Sequence, residues 1–142
     1  MKRALPLLLA LAALPTLAGD RTASPGLWES SVQMQMAGMP YPMPPHTSRR
    51  CITQEMIDRN EDIPRAQTRT GEECQIGDVH RAGNTASWTL RCSGSHPMQG
   101  SGMVTYDSAT AYHAQLRMTM QMDGRQMQMT QSIESHRVGD CH

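Results

Sequence analysis

The stretch Tyr112–Ile133 constrains the fold more than any other: YHAQLRMTMQM, then Asp123-Gly124, then RQMQMTQSI. Asp-Gly between two alternating runs signals a two-residue hairpin, because a type I′ turn needs positive φ at both central residues. That turn sets the register. Met122 faces Arg125, Met120 faces Met127, Met118 faces Met129, and Ala114 faces Ile133. Strand side chains alternate between faces, so Ala114, Leu116, Met118, Met120, Met122, Met127, Met129 and Ile133 share one side. Gln115, Arg117, Thr119, Gln121, Gln126, Gln128 and Thr130 share the other. This is an antiparallel pair with one apolar face, and that face is mostly thioether.

The same alternation occurs near the start of the chain. Trp28, Ser30, Val32, Met34 and Met36 fall on one face of an expected strand over Leu27–Ala37. Met39 and Met43 follow in a loop with four Pro between residues 40 and 45, which cannot be a central strand because each Pro lacks a ladder donor. A short strand is expected over His46–Cys51, and Thr53 caps a short helix over Gln54–Arg59. Asn60–Gly71 reads as polar and irregular, and Ser93–Gly102 as a Gly/Ser/Pro loop. A strand over Met103–Tyr106 then leads into the Met-rich hairpin. About seven strands joined by short turns imply a mainly β fold. The expected architecture is one antiparallel meander sheet curled into a small barrel or half-barrel, with one short helix.

Residues 1–18 read as a secretory signal. Lys2-Arg3 is the positive end, Ala4–Leu14 is an apolar run too short to span a bilayer, and Thr16-Leu17-Ala18 fits a cleavage site. The remaining Gly19–His142 is expected to be one exported domain without a transmembrane segment, located in the periplasm. The whole chain carries 13 Lys and Arg against 13 Asp and Glu. Loss of Lys2 and Arg3 leaves a slight acidic excess, which offers no basic face for nucleic acid and no polybasic patch for anionic lipid.

Four Cys in an exported chain of this size imply two disulfides, with three pairings open. A hairpin centred on Gly83 puts Cys74 opposite Cys92, Ile76 opposite Leu90 and His80 opposite Ala86, with Trp88 on the same face. Cys51 then joins Cys141 by elimination. Loop entropy assigns roughly 3 kcal/mol to the first bridge and roughly 4 to 5 kcal/mol to the second.

Several short signatures occur together in order: Gly26-Leu27-Trp28-Glu29, Cys51-Ile52-Thr53, the Cys74 and Cys92 hairpin, Gly100-Ser101-Gly102, and Arg137-Val138-Gly139-Asp140-Cys141. In this arrangement the chain resembles the exported bacterial family known as domain of unknown function 3617, over nearly all of Gly19–His142. The resemblance implies an envelope protein with a signal peptide, two disulfides and a β-rich fold. It brings no activity and no catalytic residues. The Met content exceeds what the family pattern implies.

With 13 Met and no Phe, thioethers have two roles open to them. Met is an adaptable core filler, and this core lacks Phe. Thioether sulfur is also a soft, pH-independent ligand that selects Cu(I) or Ag(I). The metal candidates are Met34, Met36, Met39 and Met43 with His46 beside them, and Met118, Met120, Met127 and Met129 on the hairpin. The six His are scattered without a zinc-binding spacing. No nucleophile elbow or Ser–His–Asp order is present. Glu61-Asp62 and Glu72-Glu73 read as solvated loop charge. The expected function is therefore a non-catalytic binding or accessory module of unknown partner, holding no cofactor and taking a small apolar ligand at the mouth of the sheet. The alternative is a Cu(I)/Ag(I)-binding protein.

Overall fold

A computed structural model describes residues 19–66 and 73–142. The expected signal segment, residues 1–18, and Glu72 lie outside the described residues. The strands are β1 (Gly26–Met36), β2 (His46–Ile52), β3 (Glu73–Ala82), β4 (Thr85–Ser93), β5 (Met98–Ser108), β6 (Ala111–Met122) and β7 (Arg125–Gly139). One five-residue helix, α1 (Gln54–Asp58), follows β2; Thr53 Oγ1 accepts from the Met56 amide and caps it. All neighbouring strands pair antiparallel in the order β2-β1-β7-β6-β5-β4-β3.

The sheet is not closed: β2 and β3 are its two edges. Of the expected barrel or half-barrel, the closed form is therefore not found, and one open antiparallel sheet is found instead. The segment after α1 links the edges instead of a ladder. Arg50 of β2 donates to the carbonyls of Glu61 and Asp62, and Arg81 of β3 donates to the Asp62 carboxylate at 2.7 Å. Asp62 is fully buried, so the expectation of a solvated Glu61-Asp62 pair is wrong for that residue. Both of its carboxylate oxygens are bonded, one to Arg81 and one to the Tyr106 hydroxyl at 2.9 Å, as a buried polar group requires. Burial, with the Asp62 charge beside it, pushes the Tyr106 phenol far above its ordinary range. Burial alone would lower the Arg81 guanidinium, but Tyr106 and Asp62 raise it.

The β6–β7 hairpin has the expected register at every pair, from Met122↔Arg125 to Ala114↔Ile133. Asp123 and Gly124 have φ of 51° and 73°, as a type I′ turn requires. The hairpin continues further than expected, because β7 runs on to Gly139 and pairs with β1 along its length.

The β3–β4 hairpin differs in an instructive way. Its turn is two residues long, with Ala82 opposite Thr85, so His80 faces Ser87 and not Ala86. A bulge between Gly77 and His80 inserts one residue into β3, with Asp78 at φ 48°. The two departures cancel, and Cys74 still faces Cys92. The bulge also resets the alternation of β3, so Val79 packs against the core while His80 is exposed.

Both disulfides form, Cys74–Cys92 and Cys51–Cys141. Leu27 of β1 has Cys51 as its partner on one side and Gly139 on the other. The second bridge therefore crosses the beginning of β1 and ties both its neighbours together.

The core lies on one face of the sheet. Trp28 and Tyr112 stack with centroids 5.2 Å apart, and Tyr106 meets Tyr112 edge-on at 5.9 Å. Trp88, Leu90, Leu116 and Ile63 complete its centre. Residues 20–25 close one end of this face. The Arg21 amide donates to Gly83 O and the Ser24 amide to Ala109 O, while Asp20 accepts from the Gly83 amide.

Candidate functional site

The opposite end of the core face is lined by sulfur. Cross-strand partners share a face, and the register aligns Met127 with Met120, Met120 with Met98, Met98 with Cys92, and Cys92 with Cys74. Five sulfur-bearing side chains thus run across β7, β6, β5, β4 and β3. One step inward, Met36, Met129 and Met118 form a second row. That row ends at Gly100, where a Cβ would lie 2.9 Å from Met118 Cγ.

Burial divides the set. Met98, Met118 and Met129 belong to the core. Met34, Met36, Met120, Met122 and Met127 are half-buried at the rim. The core-filling reading therefore holds for Met118 and Met129, while the rim thioethers remain accessible. Met34 is partly engaged, since its sulfur accepts from the Gln131 side-chain amide at 3.6 Å.

The loop between β1 and β2 folds back on this end. The Met39 amide donates to Met36 O and the Met43 amide to Met34 O. Met43 is half-buried and Met39 is 48% exposed. His46 pairs with Val32 and so shares the core face, exposed at the sheet edge. The first tract and the hairpin tract, 75 residues or more apart in sequence, are brought to one end of the sheet by the β1–β7 pairing. Met122 and Arg125 lie beside the turn at that end.

Met98 was not expected here. It opens β5, which begins five residues before the expected strand and runs through the supposed Gly/Ser/Pro loop. Its signal was the alternation Met98, Gly100, Gly102, Val104, Tyr106, hidden because two inward positions carry no side chain. Met103 consequently points outward and is 56% exposed. Gln131 was also missed; it lies buried on the Met face between Met129 and Ile133.

Among the described residues, no group of three or more His, Cys, Asp or Glu comes together as a metal-holding set. No described helix is long and apolar enough to cross a membrane. A family model described as a protein of unknown function, DUF3617, matches residues 23–141. The chain belongs to this family. The match runs from the capping segment to the terminal cysteine, so the DUF3617 unit is the entire sheet with both bridges. Comparisons with curated proteins and with solved structures give no match.

Proposed function

We propose that this DUF3617 protein is an exported, periplasmic binding or accessory module without catalytic activity, and that it takes its ligand at the thioether end of the sheet. In this reading the sheet acts as an incomplete barrel. Residues 53–66 plug the gap between the edges, residues 20–25 stop one end, and the sulfur-lined end is the mouth. The observation that carries the reading is the half-buried rim of Met36, Met120, Met122 and Met127 above a packed floor of Met98, Met118 and Met129. Unbranched thioethers repack easily, which suits a surface that adapts to a small apolar ligand. Two disulfides suit an oxidising compartment.

A second reading is Cu(I) or Ag(I) binding. It is favoured by neutral sulfur ligands converging from β1, β6 and β7 with His46 near them, since soft monovalent ions select thioethers.

Methyl-labelled Met separates the two. Decanoate should shift the rim methyl signals saturably under the first reading, and Ag(I) should do so under the second. Leu replacements at Met36, Met120 and Met127 should abolish whichever response occurs. If neither decanoate nor Ag(I) moves the rim signals, the mouth is not a ligand site. Mature protein recovered from the periplasm should begin at Gly19; a retained Met1 would remove the export claim.

A further inference from the structure

The polar face of the sheet carries a groove of about 510 Å3, separate from the thioether end. Its floor is made of short hydroxyl side chains, Ser87 and Thr89 on β4 and Ser101 on β5. Asp78 and His80 of β3 stand on one wall, and Arg117 of β6 on the other. Small residues between long ones make the hollow. The bulge makes the first wall, because without its extra residue the alternation of β3 would turn His80 toward the core. Bulges commonly re-aim side chains beside binding sites.

The polar groups here are free to receive a ligand. Arg117, His80, Ser87 and Ser101 make no side-chain hydrogen bond or ion pair among the described residues, and Asp78 makes a single one. That bond runs from Thr89 Oγ1 to Asp78 Oδ2 at 2.9 Å, which holds the carboxylate and leaves Oδ1 as an open acceptor. Asp78 keeps this position at positive φ, an uncommon backbone state for a residue with a side chain.

We propose that this groove binds a small sugar acid, a polyhydroxylated ligand carrying one carboxylate. Arg117 receives the carboxylate, since its planar fork matches both oxygens and no acidic side chain occupies it. Hydroxyls of the ligand meet the Ser87, Thr89 and Ser101 floor and the open oxygen of Asp78. The exposed thioether of Met103, also lining the groove, covers the apolar face of a ring. Three strand spacings separate β3 from β6, about 14 Å. With the Arg117 and Asp78 side chains reaching inward, the remaining span fits a pyranose.

Titration of the labelled, oxidised full-length mature protein with D-glucuronate in the millimolar range tests this. The amides of Ser87, Thr89 and Ser101 and the His80 ring signals should shift saturably. D-glucose and acetate should each bind at least about tenfold more weakly, as should glucuronate to Arg117→Gln. Arg117 is exposed, so this variant keeps the fold, which its unperturbed core methyl signals would verify. Absence of saturable shifts, equal binding by acetate or glucose, or full binding by Arg117→Gln would each overturn the proposal. Shifts confined to the rim methionines would place the ligand at the mouth and overturn it as well.

Discussion

The carboxylate of Asp62 and the phenol of Tyr106, 44 residues apart in the chain, meet in a buried hydrogen bond of 2.9 Å. Arg81 completes the set from β3, with its side chain 14% exposed. Together with Arg50 on the carbonyls, this contact ties the segment after α1 to both edges of the sheet. Asp62→Ala leaves Arg81 largely buried without its partner. The expected loss is about 3–5 kcal/mol. Tyr106→Phe removes two hydrogen bonds, the one donated to Asp62 and a longer one accepted from Arg81 at 3.4 Å, and is expected to cost about 1–3 kcal/mol. Urea unfolding of both single variants and the double variant checks this, and the two losses should not add.

The raised Tyr106 phenol gives a pH dependence of known sign. Its unfolded pKa is about 10 and its folded one is higher. A group shifted in that direction contributes its stability fully below about pH 10 and loses it as pH rises further. The unfolding midpoint in urea should therefore fall progressively as pH rises above about 10. Tyr106→Phe should flatten that fall.

Gly102 lies under the Trp88 indole, where a Cβ would come 2.2 Å from the ring. Gly102→Ala should cost about 1–3 kcal/mol by overpacking. Gly100→Ala should cost more, because its Cβ would meet the Arg117 carbonyl at 2.1 Å, and backbone yields less readily than a ring. Thermal denaturation of the two variants gives the order.

Met118 and Met129 are buried opposite each other, whereas Met120 and Met127, the next pair, are half-buried. Leu at 118 or 129 should cost under about 1.5 kcal/mol, since volume is nearly kept. Ala at 118 should cost about 2–5 kcal/mol by leaving a cavity. Leu at 120 or 127 should change stability least. A larger loss at the rim than in the core would contradict this division of the methionines.

The two bridges differ in the loop that each closes, with sequence separations of 90 and 18. Replacing Cys51 and Cys141 by Ser should cost about 4–5 kcal/mol, against about 3 kcal/mol for Cys74 and Cys92, on the loop-entropy account. Paired variants in urea measure the difference.

Period-two patterning made the strands legible, and Asp123-Gly124 fixed the longest hairpin to the residue. The partner of Cys74 was legible too, though through two compensating departures: a shorter turn and a bulge at Asp78. A bulge leaves no trace in an apolar pattern when the residues beside it are Gly77 and Asp78. The burial of Asp62 was hidden for another reason. Whether a carboxylate is solvated depends on what lies opposite it in space, and Arg81 and Tyr106 come from β3 and β5. The thioether end was half legible. Each Met tract could be read alone, but their meeting depends on β1 lying beside β7, which no local signal encodes.

That adjacency also governs how the molecule is assembled. Hairpins from β3 onward can form in the order in which the chain emerges, each on its predecessor. Strand β1 can pair with β2 as it emerges, but its other partner is β7, the last of the described strands, and the Trp28↔Arg137 pair joins residues far apart in the chain. Closing so long a loop is slow. The free edge of β1 must therefore wait, unpaired, until β7 has been made, and the sheet reaches its full width only at that step.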